Sequence, residues 1–245
     1  MGEKEGEKSF VVKHPFVFVI LLFLIAVLIF IILIPSEKPE QTIFSYKEPF
    51  DEYLNGTLLR TFTWVYDNHE WSISVPLYPD VYEIYKGKER EIDYSLFVAD
   101  ADEVVSLIAE KIFELGETYR LDEAEIPYLA ASFVQSLPYT SDNVTTGFDD
   151  YTRFPYETVY ENGGDCEDTS ILTAALLKEM GFDVFLVKFS DHMGVAFRCP
   201  SSEFGYYYVY ENRMYCYLET TGTNCDLGEL HSKYRKEKEK FIGVG

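Results

Sequence analysis

The sequence predicts an α+β protein with a mostly antiparallel sheet, carried behind one N-terminal membrane-spanning helix. Two observations lead to that class. An unbroken apolar run, Phe16 to Ile34, precedes everything else, and the distal half orders itself as three segments of helical spacing followed by four short strand-like segments. Helices grouped ahead of strands, instead of alternating with them, indicate α+β architecture with antiparallel pairing.

The apolar run is 19 residues long and is closed by Pro15 and Pro35. At about 1.5 Å per residue it reaches roughly 28 Å, close to the ~30 Å hydrocarbon thickness of a bilayer. A cleaved signal peptide has a shorter apolar core and a small-residue cleavage site, whereas this run ends Ile-Leu-Ile-Pro-Ser-Glu-Lys. Lys4, Lys8 and Lys13 before the span outnumber Lys38 and Lys47 after it, which puts the N-terminus on the cytoplasmic side and the rest outside. Residues 1–15 are read as a cytoplasmic tail, 16–34 as the span and 36–57 as a stalk. Residues 58–98 follow as a β-rich part, 99–230 as the core and 231–245 as a charged tail.

The first 35 residues carry three Lys and three Glu, so the formal net charge of −21 falls entirely on the outer part. Such a surface repels nucleic acid and anionic lipid. The partners expected are a protein or peptide substrate, and membrane lipid through the N-terminal helix alone.

From Leu58 to Tyr85 the residues are β-branched and aromatic. Leu59, Thr61, Thr63 and Val65 alternate with Arg60, Phe62, Trp64 and Tyr66, and Asp67-Asn68-His69 turns the chain into Trp71–Val75. That pattern predicts a hairpin. A helix is predicted from an Asp102 cap through Leu115, stopped by Gly116, and a second over residues 122–136, ended by Pro138. Residues 137–160 are left as a long loop rich in Thr, Asp, Tyr and Gly, of a length that suggests it lines a site. The third helix starts at Asp165, with Asp168 three positions on, and stops at Gly181 after Lys178. Strands are expected at residues 184–189, 192–197, 206–210 and 215–218, and a solvated helix at 233–240.

Cys166 opens the third helix directly after Gly163-Gly164-Asp165. There the helix dipole and unpaired amides favour a thiolate and offer an oxyanion site, while Glu167 and Asp168 oppose the charge. A base is therefore needed. His14 lies at the membrane edge, His69 in a turn and His231 in the tail, so His192, at the head of a strand, is the candidate. Glu219, at the end of another strand, is the acceptor that would orient it, with Asp191 and Asp226 as alternatives. Gln135 and Tyr139 are candidates for oxyanion support. Tyr206, Tyr207, Tyr208, Tyr210, Tyr215 and Tyr217 either floor a substrate groove or pack the strands.

The segments Phe154-Pro155-Tyr156-Glu157-Thr158, Gly163-Gly164-Asp165-Cys166-Glu167-Asp168-Thr169-Ser170, Asp191-His192-Met193-Gly194-Val195 and Tyr217-Leu218-Glu219-Thr220-Thr221 resemble prokaryotic transglutaminase-like cysteine proteins. The resemblance covers about residues 125–222. It implies a papain-like core, catalysis through Cys166, His192 and Glu219, and action on amide bonds of proteins or peptides by hydrolysis or acyl transfer. Animal members usually have Trp where this chain has Glu167, and Asp where it has Glu219. The family also holds non-catalytic members, so a binding ectodomain for a peptide or envelope component is the alternative.

No cofactor or metal is expected. The cysteines at 166, 199, 216 and 225 form no Cys-x-x-Cys pair, and Asp142, Asp149 and Asp150 lack regular calcium-ligand spacing. Asn55-Gly-Thr57 and Asn143-Val-Thr145 match the glycosylation acceptor pattern. Cys199 and Cys216 are an odd number of residues from His192 and Glu219 respectively, so in regular strands they face away from those side chains. Two disulfides compete: Cys199 with Cys216, and Cys216 with Cys225.

Overall fold

A computed structural model describes residues 47–54, 57–90, 93–122, 124–141, 151–221 and 228–244. The expected span, most of the stalk, Asn55, Asn143, Asp142, Asp149, Asp150, Cys225 and Asp226 lie outside the described residues. No helix among the described residues is long and apolar enough to cross a membrane. The fold is α+β, with one antiparallel sheet of three strands and another of five.

Strands β1 (Phe50–Leu54), β2 (Thr57–Tyr66) and β3 (His69–Leu77) form the first sheet. The β2–β3 hairpin turns on Asp67 and Asn68, both left-handed at φ 48° and 59°, a conformation that short Asx side chains tolerate best. Leu58, Phe62 and Trp64 of β2 and Trp71, Ile73, Val75 and Leu77 of β3 point into the core. β1 corrects the stalk assignment, because Phe50–Leu54 pair with Thr57–Thr61 of β2. Arg60 grips Asp51 through two hydrogen bonds of 2.8 Å. Every residue of β1 is exposed, so no buried alternation marks it in the sequence.

Helices α1 (Pro79–Lys86) and α2 (Tyr94–Ala99) replace the second half of the expected β-rich part. Pro79 supplies the preset φ of a first helical turn. Helix α3 (Glu103–Tyr119) begins as expected, with Asp102 accepting from the amides of Val104 (3.0 Å) and Val105 (2.9 Å). It continues through Gly116, whose missing side chain admits Ile126; a Cβ there would lie 2.8 Å from Ile126 Cγ1. Arg120, left-handed at φ 59°, ends it instead.

Helix α4 (Ile126–Gln135) is shorter than expected and buried on every side. Helix α5 (Pro155–Glu161) lies inside the segment read as loop, its start made by Pro155 and by Glu157 reaching back to the Phe154 amide at 3.0 Å. Helix α6 (Cys166–Glu179) follows the sequence expectation, including the reciprocal Asp165–Asp168 cap and Gly181 beyond its end at φ 86°.

The second sheet has the order β6-β7-β5-β4-β8: Tyr207–Tyr210, Arg213–Leu218, Met193–Arg198, Val184–Lys188 and Lys240–Gly243. β8 corrects the helix expected in the tail, where only Tyr234–Lys236 make a 3-10 turn. Leu186, Val195, Phe197, Cys216 and Leu218 join α3, α4, α6 and the hairpin in one core. Val187, Ala196, Tyr208, Tyr215 and Tyr217 pack a second layer on the other face, against Phe185 and Phe241. The tyrosines thus divide between packing and the surface, with Tyr207 and Tyr210 exposed.

Candidate active site

The start of α6 is held from behind. Residues Pro138–Thr140 run beside the two glycines, with Gly164 N donating to Pro138 O (3.3 Å) and Thr140 N to Gly164 O (2.9 Å). A Cβ on Gly163 would sit 2.6 Å from Pro138 O, and one on Gly164 2.5 Å from Asp168 Cβ. Only glycine allows this approach, which sets the direction in which Cys166 leaves the loop.

Asp168 is the hub of a buried ionic cluster. Its carboxylate accepts from Arg153 Nη1 (2.6 Å), Arg153 N (2.7 Å) and Asp165 N (3.2 Å). Arg153 also reaches Glu161 through Nε at 2.8 Å, and these two carboxylates hold its guanidinium charged against the penalty of burial. Nearby, Glu157 pairs with Arg90 (2.8 Å) and accepts from Tyr151 (2.7 Å). Helix α5 and the first turn of α6 are fastened together by these pairs.

Cys166 is half-buried and free. Its thiol donates to Glu167 Oε2 at 3.0 Å. Burial pushes the thiol pKa up, Glu167 and Asp165 add to the rise, and only the Met193 amide opposes it. That amide heads β5, next to His192.

His192 and Glu219 meet directly, Nε2 to Oε2 at 3.0 Å. The imidazole lies nearly parallel to the rings of Tyr234 (centroids 5.1 Å apart) and Phe189 (6.4 Å). Because Nε2 faces the carboxylate, Nδ1 is the nitrogen left for a thiol. Among the described residues the thiol's hydrogen-bond partner is Glu167, not His192.

Glu219 is saturated. Oε1 accepts from Thr220 N (3.0 Å), Thr221 N (3.0 Å) and Thr221 Oγ1 (2.8 Å), and Oε2 accepts from His192 and from the Tyr217 hydroxyl at 3.1 Å. Burial alone would raise its pKa; the His192 and Thr221 hydrogen bonds outweigh burial and hold it below the ordinary carboxylate value. Tyr217 reaches this position by lying over Gly194, where a Cβ would be 2.4 Å from its hydroxyl. Thr220 Oγ1 meets Thr169 (3.1 Å) and Ser170 (3.0 Å), tying the end of β7 to α6.

The structure therefore brings His192 and Glu219 into contact, while the Cys166 thiol is engaged with Glu167. Gln135 is buried, and its Nε2 donates to Thr221 O at 3.5 Å, beside the Glu219 turn. Tyr139 bridges to Gly164 through its backbone while its ring is exposed. Asp191 is exposed and pairs with Lys233. Cys199 and Cys216 form a disulfide with Cα atoms 5.7 Å apart, joining the end of β5 to β7 on the face opposite His192 and Glu219. Asp165, Cys166 and Glu167 bring three metal-capable atoms within 4.8 Å of one another, but Asp165 is already engaged with the Glu167 and Asp168 amides.

Sequence reading missed the Tyr217 contact with Glu219, Arg153 and the Thr220 clamp. Tyr217 carried a signal: it stands two residues before Glu219, on the same strand face. No protein-family model matches this chain, and no curated protein matches it.

Proposed function

We propose that this chain is a membrane-anchored, extracytoplasmic cysteine enzyme with a papain-like, transglutaminase-like core, acting on amide bonds of protein or peptide substrates. The observation that carries the reading is the 3.0 Å His192–Glu219 pair on neighbouring strands, beside a Met193 amide that favours the Cys166 thiolate. A carboxylate holding one imidazole nitrogen leaves the other to take a proton from a nucleophile.

In this reading His192 Nδ1 takes the thiol proton as sulfur bonds to the substrate carbonyl carbon. The carbonyl oxygen becomes an oxyanion facing the start of α6. Asp165 already occupies the amides of Glu167 and Asp168, which leaves the Cys166 amide as the backbone donor there. As the carbon–nitrogen bond breaks, His192 returns the proton to the leaving amine. Water, or a second amine, then gives its own proton to His192 and displaces the thiolate from the thioester. Water makes the enzyme a protease or amidase, and an amine makes it an acyltransferase. The Cys199–Cys216 disulfide supports an oxidising, extracytoplasmic compartment, in keeping with the 16–34 span as anchor.

Replacing Cys166 by Ala is expected to abolish amide turnover by the full chain in detergent or membranes. Turnover retained by Cys166→Ala would refute the reading. One observation favours the non-catalytic alternative: the thiol engages Glu167 and not His192. In that case Cys166→Ala leaves peptide or envelope binding intact, and no turnover is found in either protein.

A further inference from the structure

The carboxylates around the thiol have fixed partners, with one exception. Asp168 and Glu161 pair with Arg153, Glu157 with Arg90, Glu219 with His192 and Asp191 with Lys233, while Asp165 caps α6 through the Glu167 and Asp168 amides. Glu167 is half-buried, and no Lys, Arg or His pairs with it among the described residues; its contact is the Cys166 thiol at 3.0 Å. A partly desolvated carboxylate held against a neutral thiol lacks the cation that would offset its desolvation.

We propose that Glu167 is the charge-selecting residue of this site: it holds a cationic group of the substrate beside the amide that Cys166 attacks, and its carboxylate transfers from the thiol to that cation. The proposal rests on the reading of Cys166 as nucleophile. It names the substrate class as peptides with a positively charged side chain or amine close to the reacting carbonyl. The same movement frees the thiol proton for His192, because a neutralised Glu167 no longer accepts it and no longer disfavours the thiolate. Binding of the right charge and activation of the nucleophile thereby become one event. The net charge of −21 draws cations toward the domain from a distance, and Glu167 sorts them at contact.

The test uses the full chain in detergent with Cys225→Ser, so that Cys166 is the free thiol beside the Cys199–Cys216 disulfide. Methanethiosulfonate reagents of matched size carry a trimethylammonium, no charge or a sulfonate. Each labelling rate is divided by that reagent's rate with free cysteine, at about 0.15 M salt, where the Debye length of ~8 Å suppresses the remote field. The cationic reagent is expected to react about fivefold faster than the neutral one, the factor a half-exposed ion pair yields, and the sulfonate slower still. In Glu167→Gln the cationic-to-neutral ratio falls to within about twofold of unity, and the neutral reagent itself reacts faster. Glu167→Ala is the second variant, should the Gln side chain disturb the helix start. Ratios unchanged in these variants overturn the proposal and leave the nucleophile reading standing. Failure of all three reagents to label Cys166 overturns that reading as well.

Discussion

Asp168→Asn perturbs the device that orients Cys166 without touching the thiol. Two lobes of the Asp168 carboxylate face donors only: Arg153 N at 2.7 Å on Oδ1, and Arg153 Nη1 at 2.6 Å with Asp165 N at 3.2 Å on Oδ2. An Asn side chain offers one oxygen and one NH2, so in either orientation a donor is pressed against a donor. Each unsatisfied buried group costs about 1–3 kcal/mol, and losing one partner of a fully buried ion pair about 3–5 kcal/mol. Both Asp168 and Arg153 side chains are wholly buried, so the discount for exposed pairs does not apply. Glu161 still pairs with Arg153 at 2.8 Å, which keeps the loss near 4 kcal/mol. For a domain of this size about 2–4 °C of Tm is lost per kcal/mol, so thermal unfolding followed by circular dichroism should fall by roughly 8–16 °C. The double variant Arg153→Met with Asp168→Asn, which removes the stranded charge, should recover part of the loss. A Tm within about 2 °C of wild type for Asp168→Asn would show that the Asp168–Arg153 pair does not hold the start of α6, as would a double variant no better than the single.

Two further outcomes follow from the His192–Glu219 end of the site. The lowered Glu219 pKa contributes stability that is fully present above the unfolded glutamate value, about 4.3, and is lost as pH falls through the folded value. Glu219→Gln should therefore show a flatter decline in urea-unfolding stability below about pH 4.5 than wild type, and parallel curves would contradict the assignment. Gly194→Ala places a methyl 2.4 Å from the Tyr217 hydroxyl, so overpacking should cost about 1–3 kcal/mol and amide turnover should drop together with Tm. Unchanged turnover in that variant would show that Tyr217 need not lie against Glu219.

The parts legible in the sequence were those with local signatures. Asp102 and Asp165 announced two helices because a cap acts within three residues, and Asp67-Asn68 announced a hairpin because the turn needs positive φ. Strand parity placed Cys199 and Cys216 on one face and left Cys225 as a rival that only the register of β5 on β7 removes. What escaped was made by distant residues. β1 is visible only once Asp51 meets Arg60, and β8 only once Lys240–Gly243 lies along β4. Helix α5 was hidden because Tyr, Thr and Glu in a polar stretch resemble a loop until Pro155 and Glu157 are recognised as its first turn. Arg153 looks like a surface charge until 15 residues of chain fold back to set it on Asp168. Cys166, His192 and Glu219 were singled out by position, while Thr220 and Thr221 were not, since their contacts exist only relative to α6 and the Glu219 carboxylate.

The central claim is that Cys166 is a nucleophile served by His192. Its most direct test is mass spectrometry of the full chain after acid quench, using a slowly turned-over peptide amide as substrate. An acyl adduct is expected at Cys166 that hydroxylamine removes, and that is absent in His192→Ala. No adduct at Cys166, or an equal adduct in His192→Ala, would contradict it.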